Sequence, residues 1–213
     1  MSQGERRTGH HGSGGREVLD AALQLFADKG FAATSVREIV LKAGLSKPAL
    51  YYHFGSKEGL LRAIVDQAFA EFEERVCHSV DTAGDARDAL IKFTEACFEM
   101  ATKRPQFTAL IYQVIFGSEG GSGGIDVSEL ARRNQALLMT VIDRAVREGL
   151  IDRTRADKAA LLLNGLINIH LMAHVKGQLP GLTPELARQA VDLYLWGVAA
   201  PSSTSGPCSV REG

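Results

Sequence analysis

Between residues 16 and 198 apolar side chains recur three and four positions apart, and no segment sustains the alternation of a half-buried strand. That pattern predicts an all-α protein. Val18, Leu19, Ala22, Leu23, Leu25 and Phe26 mark one face of a first helix near 16–29, and Gly30 stands where a left-handed cap would end it. Thr34 and Ser35 can both cap a short second helix. Ser35 with Glu38 three residues later has capping-box spacing ahead of Ile39 and Val40, and Gly44 closes the segment. Ser46 can cap a third helix over Lys47 to His53, with Pro48 in the first turn, where a missing N–H costs nothing. Two short helices joined by a tight glycine turn make a helix-turn-helix. Ser56 then caps a long helix through Leu60, Leu61, Ile64, Val65, Ala68, Phe69 and Phe72 to roughly Ser79. Further helices are expected near 87–103, 105–116, 126–148, 155–176 and 183–198.

Composition narrows this picture rather than changing it. With 213 residues, 45% of them hydrophobic and 23% charged, the chain can bury a substantial core and is long enough for a small module joined to a larger one. Residues 1–14 and 201–213 have the polar, Gly- and Ser-rich makeup of disordered ends, and Gly117 to Gly124 reads as a loop. No run of about eighteen uninterrupted apolar residues is present and the N-terminus lacks a signal-peptide core, so no membrane span is expected and a cytoplasmic location is. Cys77, Cys97 and Cys208 match neither a disulfide framework nor a zinc pattern and read as ordinary thiols. The first 60 residues are net +2 and the remainder net −3, an asymmetry too small to name a partner.

The chemistry lies in residues 34–58, TSVREIVLKAGLSKPALYYHFGSKE. The third helix is too short to stand alone, and Leu50 and Phe54, at i and i+4, supply the face that anchors it. Lys47, Ala49, Tyr51, Tyr52 and His53 are left on or near the outward face. Phenol hydroxyls and ammonium groups suit phosphate oxygens, and helix N-termini add donors; aromatic packing is the alternative use of either tyrosine. Across about 16–65 the capped first helix, the V-x-x-I core, A-G-L-S-K, L-Y-Y-H-F and S-K-E-x-L resemble the TetR family of bacterial transcription regulators. The resemblance implies that Thr34, Tyr51, Tyr52, His53 and Lys57 hold phosphates of double-stranded DNA. It also implies that Lys47 and its small neighbours Ser46, Pro48 and Ala49 approach base edges in the major groove. Pro48 replaces a commoner small residue and offers no backbone donor, while Ala49 offers only a methyl group. Arg37 can add a contact or remain a solvated helix charge, and Arg6, Arg7 and Arg16 can form an arm or a plain basic tail.

A head of three helices buries little surface, so specificity calls for two heads on a two-fold operator. Ala159 to Val175 is apolar nearly all round, and Leu186, Val191, Leu193, Tyr194, Leu195 and Trp196 give the last helix a similar character. The resemblance implies that these two helices form an intersubunit four-helix bundle in a homodimer. It also implies a small-molecule site among the middle helices, for which Phe93, Cys97, Met100, Phe107, Tyr112, Phe116 and Met139 are candidates, although the same residues would describe an ordinary core. His170 and His174 are four apart on one face and can line that site; two histidines are too few for a metal, and neither metal nor cofactor is expected. No nucleophile elbow, phosphate loop or dinucleotide fingerprint argues for an enzyme. The expectation is a DNA-binding head over 15–62 and a helical ligand-binding and dimerisation domain over 63–200. Together they would form a repressor released from a palindromic operator by a mainly hydrophobic molecule. A helical small-molecule-binding protein without specific DNA binding, or an enzyme, are the competing readings.

Overall fold

A computed structural model of the chain describes residues 13–116 and 123–198. The N-terminal arm with Arg6 and Arg7, most of the glycine-rich loop, Cys208 and the tail over 201–213 lie outside the described residues, as does the side chain of Phe116. Among the described residues there are nine α-helices and no strand. They are α1 (Ser13–Lys29), α2 (Val36–Ala43), α3 (Lys47–Phe54), α4 (Lys57–Asp81), α5 (Ala86–Lys103), α6 (Pro105–Phe116), α7 (Val127–Arg147), α8 (Ala156–Val175) and α9 (Pro184–Val198). A short 3₁₀ turn at Arg153–Arg155, capped by Asp152, precedes α8 and has no hydrophobic period that would announce it.

The chain divides into two compact units, residues 1–75 with 99–133 and residues 76–98 with 134–213, and α4, α5 and α7 are continuous across the division. In the first unit α1 packs on α2, α3 and α6. Its core holds Val18, Ala22, Phe26, Ile39, Leu50, Leu60 and Leu61, all but excluded from solvent. Burial of each large member contributes about 1.5–3 kcal/mol, which is how helices of eight residues persist. Gln113 on α6 donates to the Ala27 carbonyl on α1 at 2.9 Å, and Arg104 pairs with Glu71.

The second unit is built on Leu90, Phe93, Leu138, Val141, Ile142, Leu163, Ile167 and Val191. Arg144 ties α7 to the end of α4 by donating to the carbonyls of Val80 and Ala83, both at 2.9 Å. Arg87 grips Asp192 through two bonds of 2.8 Å between α5 and α9. Tyr194 is buried and donates to the Ala159 carbonyl at 2.9 Å, fixing α9 against α8.

Local capping sets the start of the head. The Ser35 hydroxyl accepts from the Glu38 N–H, and the Glu38 carboxylate accepts from the Ser35 N–H at 2.9 Å, completing the expected capping box. Lys29 also bonds Glu38, and this bond, followed by the Ser35 backbone and side-chain bonds, holds the carboxyl near pKa 2 against an ordinary 4.5. A carboxyl depressed on folding stabilises the protein above its unfolded pKa and loses that contribution as pH falls through the folded value. Glu38→Gln is therefore expected to flatten the acid limb of a stability profile between about pH 4.5 and 2. An unchanged limb in urea titrations would mean that this carboxylate is not linked to folding.

Candidate nucleic-acid interface

The helix-turn-helix is assembled by its turn. Gly44 lies in the left-handed region (φ +67°), where a side chain would strain the backbone. Its N–H reaches the Leu41 carbonyl at 3.4 Å while the Leu45 N–H reaches that of Val40 at 2.9 Å, the paired bonds of a Schellman ending. Ser46 caps α3, its hydroxyl accepting from the Ala49 N–H at 3.4 Å. On α3, Leu50 and Phe54 turn inward and are buried. Ser46, Lys47, Pro48, Tyr51, Tyr52 and His53 are exposed, and Ala49 is half-exposed. Tyr52 is 85% exposed, so its cost as bare surface is high, and the His53 ring meets it edge-on at 5.2 Å. Arg37 is exposed on α2. Eight of the ten residues expected to face DNA are thus on the surface of α3, its cap or α2.

Thr34 and Lys57 are placed differently from the other eight. Thr34 is buried, and its hydroxyl donates to the Gly30 carbonyl at 2.8 Å with the Leu25 carbonyl oxygen at 3.2 Å. It closes the joint between α1 and α2 instead of presenting a hydroxyl to phosphate. The Lys57 ammonium donates to the carbonyls of Phe31 and Thr34, both at 2.9 Å, and lies 4.2 Å from the centre of the Phe31 ring. It is a tie between the start of α4 and the α1–α2 loop. Spacing alone could not show this, because the partners are 26 and 23 residues away in the chain. Gly59 lets the first turn of α4 follow closely on the end of α3: a Cβ there would sit 2.1 Å from the Phe54 carbonyl oxygen.

The candidate ligand residues are divided between the units. Met100, Phe107 and Tyr112 belong to the first, where Phe107 is buried and the other two half-buried. Phe93, Cys97, Met139, His170 and His174 belong to the second. Phe93 and Cys97 are in its core, and burial pushes the Cys97 thiol up to about 12, so it is an inert apolar group. The His170 ring meets that of Phe98, the residue after Cys97, at 5.7 Å with the two planes tilted by 38°. A surface pocket of about 330 Å³ in the first unit is lined by none of the nine candidates. Its walls are Arg62, Val65, Asp66, Gly124, Ile125, Asp126, Glu129, Leu130 and Arg133, and Arg133 is already paired with Asp66 and Glu73 over the Phe69 ring.

Six large apolar residues are exposed on two helices of the second unit that pack together: Leu161, Leu162, Ile169 and Val175 on α8, and Leu193 and Trp196 on α9. Trp196 is 82% exposed and Leu161 70%. The stretch 153–175 is long and apolar enough to cross a membrane by length and composition. Its other face is packed within the unit through Ala156, Ala160, Leu163 and Ile167. Among the described residues no group of three or more metal-ligating side chains occurs.

Residues 18–64, the segment just described as a capped three-helix head, match the family model for bacterial regulatory proteins of the tetR family. The chain is 28% identical over 199 residues to the HTH-type transcriptional repressor KstR2 of Rhodococcus jostii, an alignment covering 89% of this chain and 94% of that one. It is similar in structure to the TetR family transcriptional regulator PfmR of Thermus thermophilus, with TM-score 0.68 and 28% identity over 84% of this chain and 97% of the other. The regulator FadR of Bacillus subtilis, solved in complex with stearoyl-CoA, shares the fold at TM-score 0.75 and 17% identity over 86% of this chain and 98% of that one. Residues 18–64 thus carry the head of the bacterial regulatory proteins of the tetR family, and the all-helical chain is similar to regulators of that family along nearly their whole length.

Proposed function

We propose that the protein is a cytoplasmic, homodimeric, ligand-responsive repressor that binds a palindromic operator and leaves it when a mainly hydrophobic molecule binds. The observation that carries this is α3. An eight-residue helix, held by two buried residues, presents a lysine, two tyrosines and a histidine on its exposed surface. Lys47 would read base edges, Pro48 and Ala49 would offer apolar contact to thymine methyls, and Tyr51, Tyr52, His53 and Arg37 would hold phosphates. Ser46 keeps the helix N-terminus aimed at the duplex by capping it.

The exposed face of α8 and α9 would be covered by a second copy. Two-fold pairing places two identical heads on one duplex, and a half-site read by one head alone is too short to be specific. The effector would bind in the second unit, in the neighbourhood of Phe93, Cys97, Met139, His170 and His174. There it would act on the head through α4, whose 25 residues are continuous across the two units, a length of about 37 Å. Such a ligand releases DNA only by fitting the non-binding arrangement better than the binding one. Regulation rather than catalysis accounts for all the features described.

Selection of bound duplexes from a random pool tests the reading: an inverted repeat bound by dimers is the expected winner, and sequence-indifferent binding would overturn it. On that operator Lys47→Ala should relax preference at particular base pairs by about 1–3 kcal/mol each. Tyr51→Phe should instead weaken all duplexes alike. Competition assays with single-base operator variants separate the two, and uniform weakening by both substitutions would remove Lys47 from base reading.

A further inference from the structure

The face of α8 that packs into its own unit runs through Ala156, Ala160, Leu163, Ile167, His170 and His174, spaced alternately by four and three as a buried helical stripe requires. The first four are buried and apolar. The last two turns of the same stripe carry imidazoles instead, and nothing about helix propensity or surface solvation calls for them there. His170 Nδ1 lies 2.7 Å from the Leu166 carbonyl oxygen. A carbonyl only accepts, so Nδ1 carries the proton, and in the neutral ring Nε2 is left as a bare acceptor. The ring itself is held against Phe98. His174 Nδ1 is buried and has no hydrogen-bond partner, which native interiors rarely tolerate without a use. Beside this stripe Asn164 accepts from Asn134 at 3.3 Å and from Asn168 at 2.9 Å, so the neighbouring amides are engaged with one another, whereas His174 Nδ1 is not.

We propose that His170 and His174 form the polar anchor of the effector site, and that the effector is an apolar molecule bearing an alcohol hydroxyl. A hydroxyl can donate to the bare Nε2 of His170. At His174 it satisfies Nδ1 in either tautomer, by donating to the unprotonated nitrogen or by accepting from the protonated one. An ether or a hydrocarbon of equal length lacks the donor, so covering half-buried His170 would take its acceptor from water with nothing in return, a loss that discriminates strongly between otherwise similar ligands. Among the described residues, no third metal-ligating side chain joins the pair, so a cation is not the match. This inference rests on the reading of the protein as a ligand-responsive regulator and names the chemistry that its ligand must have.

The test uses the full chain labelled with ¹⁵N-histidine and two probes of one chain length, 1-decanol and decyl methyl ether. Calorimetry is expected to show the alcohol binding at least tenfold more tightly than the ether, and ring-nitrogen spectra to show the His170 and His174 resonances moving with saturation. His170→Leu and His174→Leu should each bring the alcohol down to the affinity of the ether. Equal affinity for both probes, no binding by either, or binding with both ring resonances unmoved in the parent would each overturn the proposal, the last independently of whether the variants fold. Operator binding measured in the same preparations keeps the two readings apart. Specific DNA binding with unresponsive histidines sinks only the anchor, whereas loss of specific DNA binding in the parent sinks the regulator.

Discussion

Glutamate at Leu161 and Trp196 together is expected to yield a folded monomer that no longer holds its operator. Both side chains are on the outer surface of the second unit, 70% and 82% exposed, so the change removes no internal packing and helical content should be kept. In the pairing proposed for α8 and α9 the same positions would be desolvated at the centre of an apolar contact, where an unpaired carboxylate is strongly unfavourable. Sedimentation should show the mass of one chain, and the operator affinity should fall by roughly 10³-fold, the gap between specific and non-specific binding for such heads. If the double variant remains a dimer, the apolar face of α8 and α9 is not where copies of this chain meet. A monomer that keeps full operator affinity would mean that two heads are not needed.

Lys57→Met should destabilise the head while leaving the salt dependence of DNA binding where it was. The substitution keeps the alkyl stem but removes two charge-assisted hydrogen bonds to the carbonyls of Phe31 and Thr34 and the cation over the Phe31 ring. Hydrogen bonds to charged groups contribute about 1.5–3 kcal/mol each, and the Phe31 carbonyl keeps its bond from the Thr34 N–H, so a net loss of roughly 2–3 kcal/mol is expected. For a chain of this size that lowers Tm by roughly 5–10 °C. A phosphate-binding lysine would behave in the opposite way, with Tm unchanged and the slope of log affinity against log salt reduced by about one. Thermal unfolding and a salt titration on the same variant therefore assign Lys57 without reference to any relative.

The contrast between Lys57 and its neighbours shows what local sequence carries. The capping box of Ser35 and Glu38, the glycine turn at Gly44, the Ser46 cap and the inward pair Leu50 and Phe54 are all relations between residues within five positions, and each was legible. Helix ends came within a few residues for the same reason, since caps and the 3.6-residue period are short-range properties. The 3₁₀ turn at Arg153–Arg155 was missed because three polar residues have no period.

The sequence by itself therefore determined an all-helical chain with a helix-turn-helix near its start, two unusually apolar C-terminal helices and an outward face on α3 rich in tyrosine and lysine. Only the tertiary structure decided that Thr34 is interior, that Lys57 bonds a loop more than twenty residues away, that α6 packs with the head on α1, and that His174 has a buried nitrogen without a partner. The reason is physical. A side chain's face follows from its own helix, but the group it meets there depends on which distant segment the fold brings opposite it, and a lysine reaches a carbonyl or a phosphate with equal ease.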